Sequence, residues 1–216
     1  MTTPRSYPST IADAVTNEIV IKKSRFIAHV APAASPDAAD EVITRAKKQY
    51  WDARHNCVAM VTGVLGDRAR SSDDGEPSGT AGVPMLEVLR RRELTDVVAV
   101  VTRYFGGIKL GAGGLIRAYS GAVSEALDLA VIVRRETLTR VTLDVAHSDA
   151  GRIDNVLREW VVAHGARLDE PRYGATATFE LWAPPAVLHQ LTADVAAASA
   201  GSVVPVVGED RIVDVP

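Results

Sequence analysis

The stretch Val97–Ser120, VVAVVTRYFGGIKLGAGGLIRAYS, decides how the chain is read. It opens as an unbroken apolar strand. It then breaks at Gly106, Gly107, Gly111, Gly113 and Gly114, with Arg103 and Lys109 among them, and resumes as a helix that carries Arg117. A buried strand that empties into a glycine-rich basic turn before a helix presents backbone N–H groups and partial positive charge to an anion. The same pattern also serves as a strand-to-helix connection in which glycine is needed only for tight packing. Neither the phosphate loop G-x-x-x-x-G-K-[ST] nor the dinucleotide fingerprint G-x-G-x-x-G is present, so the turn is at most a generic anion site.

The chain of 216 residues suits one large domain or two small ones, and 47% hydrophobic and 24% charged residues are ordinary for a soluble globular protein. No apolar run is long enough to predict a transmembrane span, and MTTPRSYPST lacks the apolar segment of a secretory signal. The lone Cys57 excludes an internal disulfide and fits a reducing compartment, so a cytoplasmic location is expected. Residues 1–135 hold 18 Lys and Arg against 15 Asp and Glu, whereas residues 136–216 hold 6 against 12. The first part is thus weakly basic, with clusters at Lys22-Lys23-Arg25, Lys47-Lys48 and Arg90-Arg91-Arg92, and the second is acidic. The split hints at different partners but is too mild to establish nucleic-acid binding by itself.

Working outward from the opening stretch, Glu18–Val30 reads as a strand or hairpin and Asn56–Val64 as a second strand. Between them Ser35-Pro36-Asp37 starts a helix that closes on Lys47-Lys48. Ser71–Pro84 reads as a long polar loop, followed by a helix over Ala81–Arg92, a strand over Val97–Arg103 and a helix over Ala112–Ala130. From Glu136 the pattern restarts. A strand over Thr139–Val145 precedes a helix capped by Ser148 and stopped at Gly165. Strands over Arg167–Tyr173 and Ala175–Trp182 follow, then a helix from Pro184-Pro185 to Ser199 and a last strand over Ser202–Val207. That β-α-β-β-α-β order is the ferredoxin-like unit. The expected class is α+β with two domains, residues 1–135 and 136–216.

Ser72-Asp73-Asp74-Gly75-Glu76 is the densest acidic group, but Arg70 and Ala81 stand where a calcium loop needs carboxylates. Magnesium needs only one or two carboxylates, so the same group admits it, yet the segment fits a structural or partner-contacting loop better. His55 and Cys57 share a strand face, as a nucleophilic pair would, but no third orienting group is evident and Cys57 reads as a buried small residue. The five histidines lack metal-ligand spacing. No catalytic residue, metal or cofactor is therefore assigned. Trp51, with Lys47, Lys48 and Arg54, fits either a stacking and phosphate-binding patch or a hydrophobic helix cap, and the cap is preferred.

Four segments together resemble the YigZ family, the bacterial branch of the IMPACT family of translation regulators. They are Lys23-Ser24-Arg25-Phe26-Ile27-Ala28, Asp52-Ala53-Arg54-His55-Asn56-Cys57, the run from Ser72 to Gly82, and Thr102 to Gly111 continuing into Gly113–Tyr119. The resemblance covers roughly residues 15–130. It implies a first domain like the second domain of a small-subunit ribosomal protein and domain IV of elongation factor G. It implies a second domain like that factor's last, ferredoxin-like one. Eukaryotic members act by protein binding, restraining a starvation-responsive translation kinase. The expectation is a non-enzymatic protein that contacts RNA, the ribosome or a translation factor. Its surface would be built from Arg54, His55, Asn56, Ser72, Asp73, Asp74, Glu76, Arg103, Lys109 and Arg117. The cations would hold phosphate or carboxylate, and the acidic loop would take a basic group, a hydroxyl or a bridging Mg²⁺. The rival is an enzyme on a phosphorylated or nucleotide substrate at the Ser72–Glu76/Arg103–Lys109 site. A third reading is protein docking through the ferredoxin-like domain.

Overall fold

A computed structural model describes residues 7–215, which pack as two compact units, 7–134 and 135–215. In the first, the strands are β1 (Thr10–Ile11), β2 (Val15–Ile21), β3 (Ser24–Pro32), β4 (His55–Thr62), β5 (Arg68–Ser72) and β6 (Val97–Tyr104). The helices are α1 (Pro36–Gln49), α2 (Gly82–Arg91) and α3 (Ala112–Leu127). Five strands form one sheet in the order β2-β3-β6-β4-β5, and every neighbouring pair is antiparallel.

The central strand β6 explains the uninterrupted apolar run. Val97, Ala99 and Val101 face one side, where they join Phe26, Cys57, Met85, Leu89 and Tyr119 beneath α2 and α3. Val98 and Val100 face the other side, with Val58, Met60, Ala39 and Val42 beneath α1. Helices cover both faces, so an antiparallel strand here shows no polar alternation, a pattern more usual in parallel sheets. The start of α1 is local: Ser35 Oγ accepts from the Ala38 N–H at 3.1 Å, Pro36 takes the first helical position, and Lys47 and Lys48 lie in the last turn.

The expected loop over Ser71–Pro84 is shorter than its composition implied. Ser71 and Ser72 belong to β5, whose partners on β4 include Ala59 and Val58. This edge strand is polar and largely exposed, so it carries no apolar alternation; its pairing comes from β4.

The second unit contains most of β7 (Ile132–Val145), then α4 (His147–His164), β8 (Arg167–Leu168), β9 (Arg172–Tyr173), β10 (Ala177–Ala183), a single 3₁₀ turn (Pro185–Val187), α5 (Leu188–Ala198) and β11 (Val206–Val215). Strand β10 lies between β7 and β8, β9 also pairs with β10, and β11 pairs with β7. Val141, Leu143 and Val145 of β7 and Phe179 and Leu181 of β10 point into a core closed by Ile153, Leu157 and Trp160 of α4 and Leu191 and Val195 of α5.

Three expectations are corrected here. The strand expected over Arg167–Tyr173 is two short pieces, because Pro171 interrupts it and has no N–H to donate. The last strand is Val206–Val215, not Ser202–Val207; Pro205 breaks the earlier segment, and the charged run Glu209-Asp210-Arg211 becomes a strand by pairing with β7. Helix α4 starts at His147 with Ala146 at its cap position, so Ser148 is inside the helix. No helix among the described residues is long and apolar enough to cross a membrane.

The second core sets a stability prediction. Leu157 is fully buried, and Leu157→Ala is expected to destabilise the chain by about 2–5 kcal/mol in urea unfolding. On the same helix, exposed Val162→Ala should change stability by no more than about 0.5 kcal/mol.

Candidate functional site

The segment from Ser72 to Ala81 joins β5 to α2 and carries the acidic residues. Asp73 turns back onto its own segment and the start of α2. One carboxylate oxygen accepts from the N–H groups of Ala81 (3.0 Å) and Gly82 (2.8 Å), the other from Gly79 (2.8 Å). It thereby satisfies the first amides of a helix whose own cap residue, Ala81, has no side chain to do so. Burial raises the Asp73 carboxyl's affinity for its proton, but the three N–H donors outweigh it and hold the group below the ordinary carboxylate range. Gly82 is required where it stands: a Cβ would lie 2.7 Å from the Ser72 backbone nitrogen.

Asp74 adopts φ +45° and is held at three points. Its carboxylate accepts from the Asn56 N–H at 2.7 Å and from Lys47 Nζ at 3.0 Å. Its carbonyl oxygen accepts from His55 Nδ1 at 2.8 Å. A carbonyl can only accept, so Nδ1 is the donor in this contact. Beside it, the Cys57 thiol donates to the Asp73 carbonyl at 3.0 Å. Burial, with the neighbouring carboxylates, pushes that thiol up to about 12, which makes it an inert core group.

Glu76 goes deepest. One of its oxygens accepts from Arg103 Nη1 at 2.6 Å and from the Tyr119 hydroxyl at 2.7 Å. The Glu76 and Arg103 side chains are only 4% and 7% exposed, so this is a buried ion pair. The Arg103 guanidinium lies 5.3 Å from the centre of the Phe26 ring and 5.6 Å from that of Phe105. Burial drives the Tyr119 hydroxyl far above its ordinary range, so it stays a donor at every accessible pH. On the sheet face toward α1, Thr102 donates to Asn56 at 2.6 Å.

Six of the ten expected site residues thus meet in one network: His55, Asn56, Asp73, Asp74, Glu76 and Arg103. Ser72 joins at its rim, its hydroxyl accepting from the Asp74 N–H at 3.3 Å. The charges answer one another, Arg103 with Glu76 and Lys47 with Asp74, where the expectation had them facing outside ligands. The reason is physical: a carboxylate this deep needs a cation and hydrogen-bond donors from the protein itself. No spacing in the sequence marks Tyr119 or Lys47 as a partner of this loop, because both reach it from distant helices.

Arg54, Lys109 and Arg117 lie outside the network and are exposed. Arg117 lines a groove of about 430 Å³ between α2 and α3, together with Arg91, Arg92, Ser120 and Ser124. Arg54 and Lys109 belong to a different surface, at the end of the sheet. There Tyr104 donates to Asp52 at 2.7 Å, fastening the segment after α1 to the end of β6. Gly106 packs on the β2–β3 turn so closely that a Cβ would lie 2.0 Å from the Lys23 carbonyl carbon, and its N–H donates to Ser24 Oγ at 3.2 Å. For this glycine, tight packing is the function. These contacts gather Lys22, Lys23, Trp51, Arg54, Phe105 and Lys109 at one end of the unit. Trp51 is 82% exposed, so it is no helix cap, and Phe105 is 51% exposed. Lys22, Lys23, Arg54 and Lys109 have no ion-pair partner among the described residues.

Glu76→Ala leaves Arg103 buried and uncompensated and should cost about 3–5 kcal/mol, whereas Tyr119→Phe should cost about 0.5–1.5 kcal/mol, both read by chemical denaturation. The depressed Asp73 carboxyl contributes stability that is fully present above its unfolded pKa, about 3.9, and is lost as pH falls through its folded value. Asp73→Asn should therefore be less stable than wild type at neutral pH, with the gap closing as unfolding is followed down to about pH 2.

Comparison with known proteins agrees with the motifs. Residues 22–127 match the model of the Impact N-terminal domain. YvyE of Bacillus subtilis, an IMPACT family member, is 53% identical over 150 residues, spanning 69% of each chain. YigZ of Escherichia coli, likewise an IMPACT family member, is 38% identical over 184 residues, spanning 84% of this chain and 88% of its own. A crystal structure described as that of a hypothetical protein superposes with a TM-score of 0.60 at 35% identity, covering 95% of this chain and 98% of the other. With its four motifs in order and relatives matched over most of their length, this chain belongs to the IMPACT family.

Proposed function

We propose that this IMPACT-family chain is a non-enzymatic binding protein of the translation apparatus, acting in the cytoplasm, and that it contacts RNA through the end of the first unit's sheet. The observation that carries the reading is the juxtaposition there of two exposed aromatic rings, Trp51 and Phe105, with Lys22, Lys23, Arg54 and Lys109. Aromatic faces stack on unpaired bases of any sequence, and ammonium and guanidinium groups follow the phosphate backbone. The link to translation comes from the resemblance to IMPACT regulators.

The internal network supports binding over catalysis. Asp73, Asp74 and Glu76 are occupied by backbone N–H groups, Lys47, Arg103 and Tyr119. A general base or phosphate clamp at this place would first have to give up those partners. In the second unit, the order β-α-β-β-α-β supports the ferredoxin-like reading, with the third main strand between the first and second and the last beside the first. For the first unit, likeness to ribosomal-protein and elongation-factor domains rests on the family resemblance alone.

The test is binding of a single-stranded RNA oligomer by wild type and by Trp51→Ala/Phe105→Ala, at about 50 and about 200 mM salt. Loss of stacking is expected to weaken binding by about 1–3 kcal/mol per base, and Trp51→Ala alone, at a ring that is 82% exposed, should leave the melting temperature unchanged. Wild-type binding should also fall steeply with salt. Equal RNA affinity of variant and wild type would overturn the assigned face. Retention of a cellular partner that survives ribonuclease and high salt would point instead to a protein partner.

A further inference from the structure

The β2–β3 hairpin turns on two residues only, Lys22 and Lys23, with Ile21 paired directly to Ser24. Both lysines have positive φ, 46° and 65°. A two-residue turn of this hand matches the twist of the strands, but it favours Asn-Gly, because a Cβ is crowded in the left-handed region. Two successive lysines are therefore a poor local choice. Nothing in their side-chain contacts compensates: both are exposed, and neither has an ion-pair partner among the described residues. The turn is held from outside instead. Gly106 lies against the Lys23 carbonyl, and its N–H is tied to Ser24, which is fully buried. Residues kept in a disfavoured conformation by their surroundings mark positions where something other than stability sets the side chain.

The turn also stands at the right place. The segment that clamps it, Gly106, is flanked by Phe105 and leads on to Lys109. Arg25, one residue beyond the hairpin turn's neighbour Ser24, is neutralised by Glu18 at 2.7 Å and lies over the Tyr104 ring. The two turn lysines are thus the cations of this hairpin end left without a carboxylate.

We propose that Lys22 and Lys23 are a phosphate grip, kept at a strained turn because their two ammonium groups hold backbone phosphates of the bound RNA. This inference rests on the RNA reading above and adds to it the reason why a strained turn carries two lysines. Asn-Gly at these positions removes both charges and relieves the strain together. Arg-Arg keeps both the charges and the strain.

The experiment compares full-length wild type, Lys22→Asn/Lys23→Gly and Lys22→Arg/Lys23→Arg by thermal unfolding and by binding of a single-stranded RNA oligomer across a salt series. For the Asn-Gly variant the melting temperature should rise by a few degrees while RNA affinity falls. The slope of log affinity against log salt should become shallower by about 1.4, two phosphates at about 0.7 each. The Arg-Arg variant should keep the wild-type slope. An Asn-Gly variant with wild-type affinity and slope would overturn the grip while leaving the RNA face standing. A melting temperature that falls in the Asn-Gly variant would overturn the strain argument. Wild type with no RNA affinity at all would remove the RNA reading itself, and the grip with it.

Discussion

The first unit is organised around one buried ion pair. Glu76 enters from a polar loop, Arg103 from the end of the central strand, and Tyr119 from the helix that follows. A charge in that position needs its counter-charge in place, so the pair sets the position of three elements at once. The loop that carries Glu76 is then fixed at its other points by Asp73 on the start of α2 and by Asp74 on Asn56, His55 and Lys47. A buried pair of this kind is a poor source of net stability but a strong demand for one arrangement. Its loss would free a polar loop that has little apolar surface of its own to hold it.

That inward use of charge determines what the surface presents. Once Asp73, Asp74 and Glu76 are matched by protein donors, the neighbouring sheet end is left with Lys22, Lys23, Arg54 and Lys109 and with the rings of Trp51 and Phe105. The acidic loop and the basic face are therefore two consequences of one architecture: the acids build the scaffold, and the uncompensated cations face water. The glycines follow the same division. Gly82 and Gly106 are required by close backbone approach, to Ser72 and to Lys23, and not by contact with a ligand.

The second unit is built by simpler means. Alternating Val141, Leu143 and Val145 and alternating Ala177, Phe179 and Leu181 give the sheet one apolar face, and α4 and α5 cover it. Its other face carries Arg140 and Arg172, both paired with Glu180. The acidic bias of this half of the chain is spread over such surface pairs and the exposed β11.

By itself, the sequence determined what depends on local pattern. The apolar run Val97–Val101 announces a strand buried on both faces. Ser35-Pro36 with Lys47-Lys48 marks the two ends of α1, and the alternation in Val141–Val145 gives its strand a core face. The order of the four motifs was enough for the family. Tertiary structure alone decided what depends on distant partners. Strand β5 is polar and β11 largely exposed, and both exist because β4 and β7 pair with them. Glu76 finds Arg103 and Tyr119 at separations of 27 and 43 residues, which no spacing along the chain encodes. The outward ring of Trp51 and the inward charge of Arg103 reverse what their residue types favour, because exposure is a property of the packed neighbours, and a sequence shows only which residues could be buried, not which charges will be satisfied there.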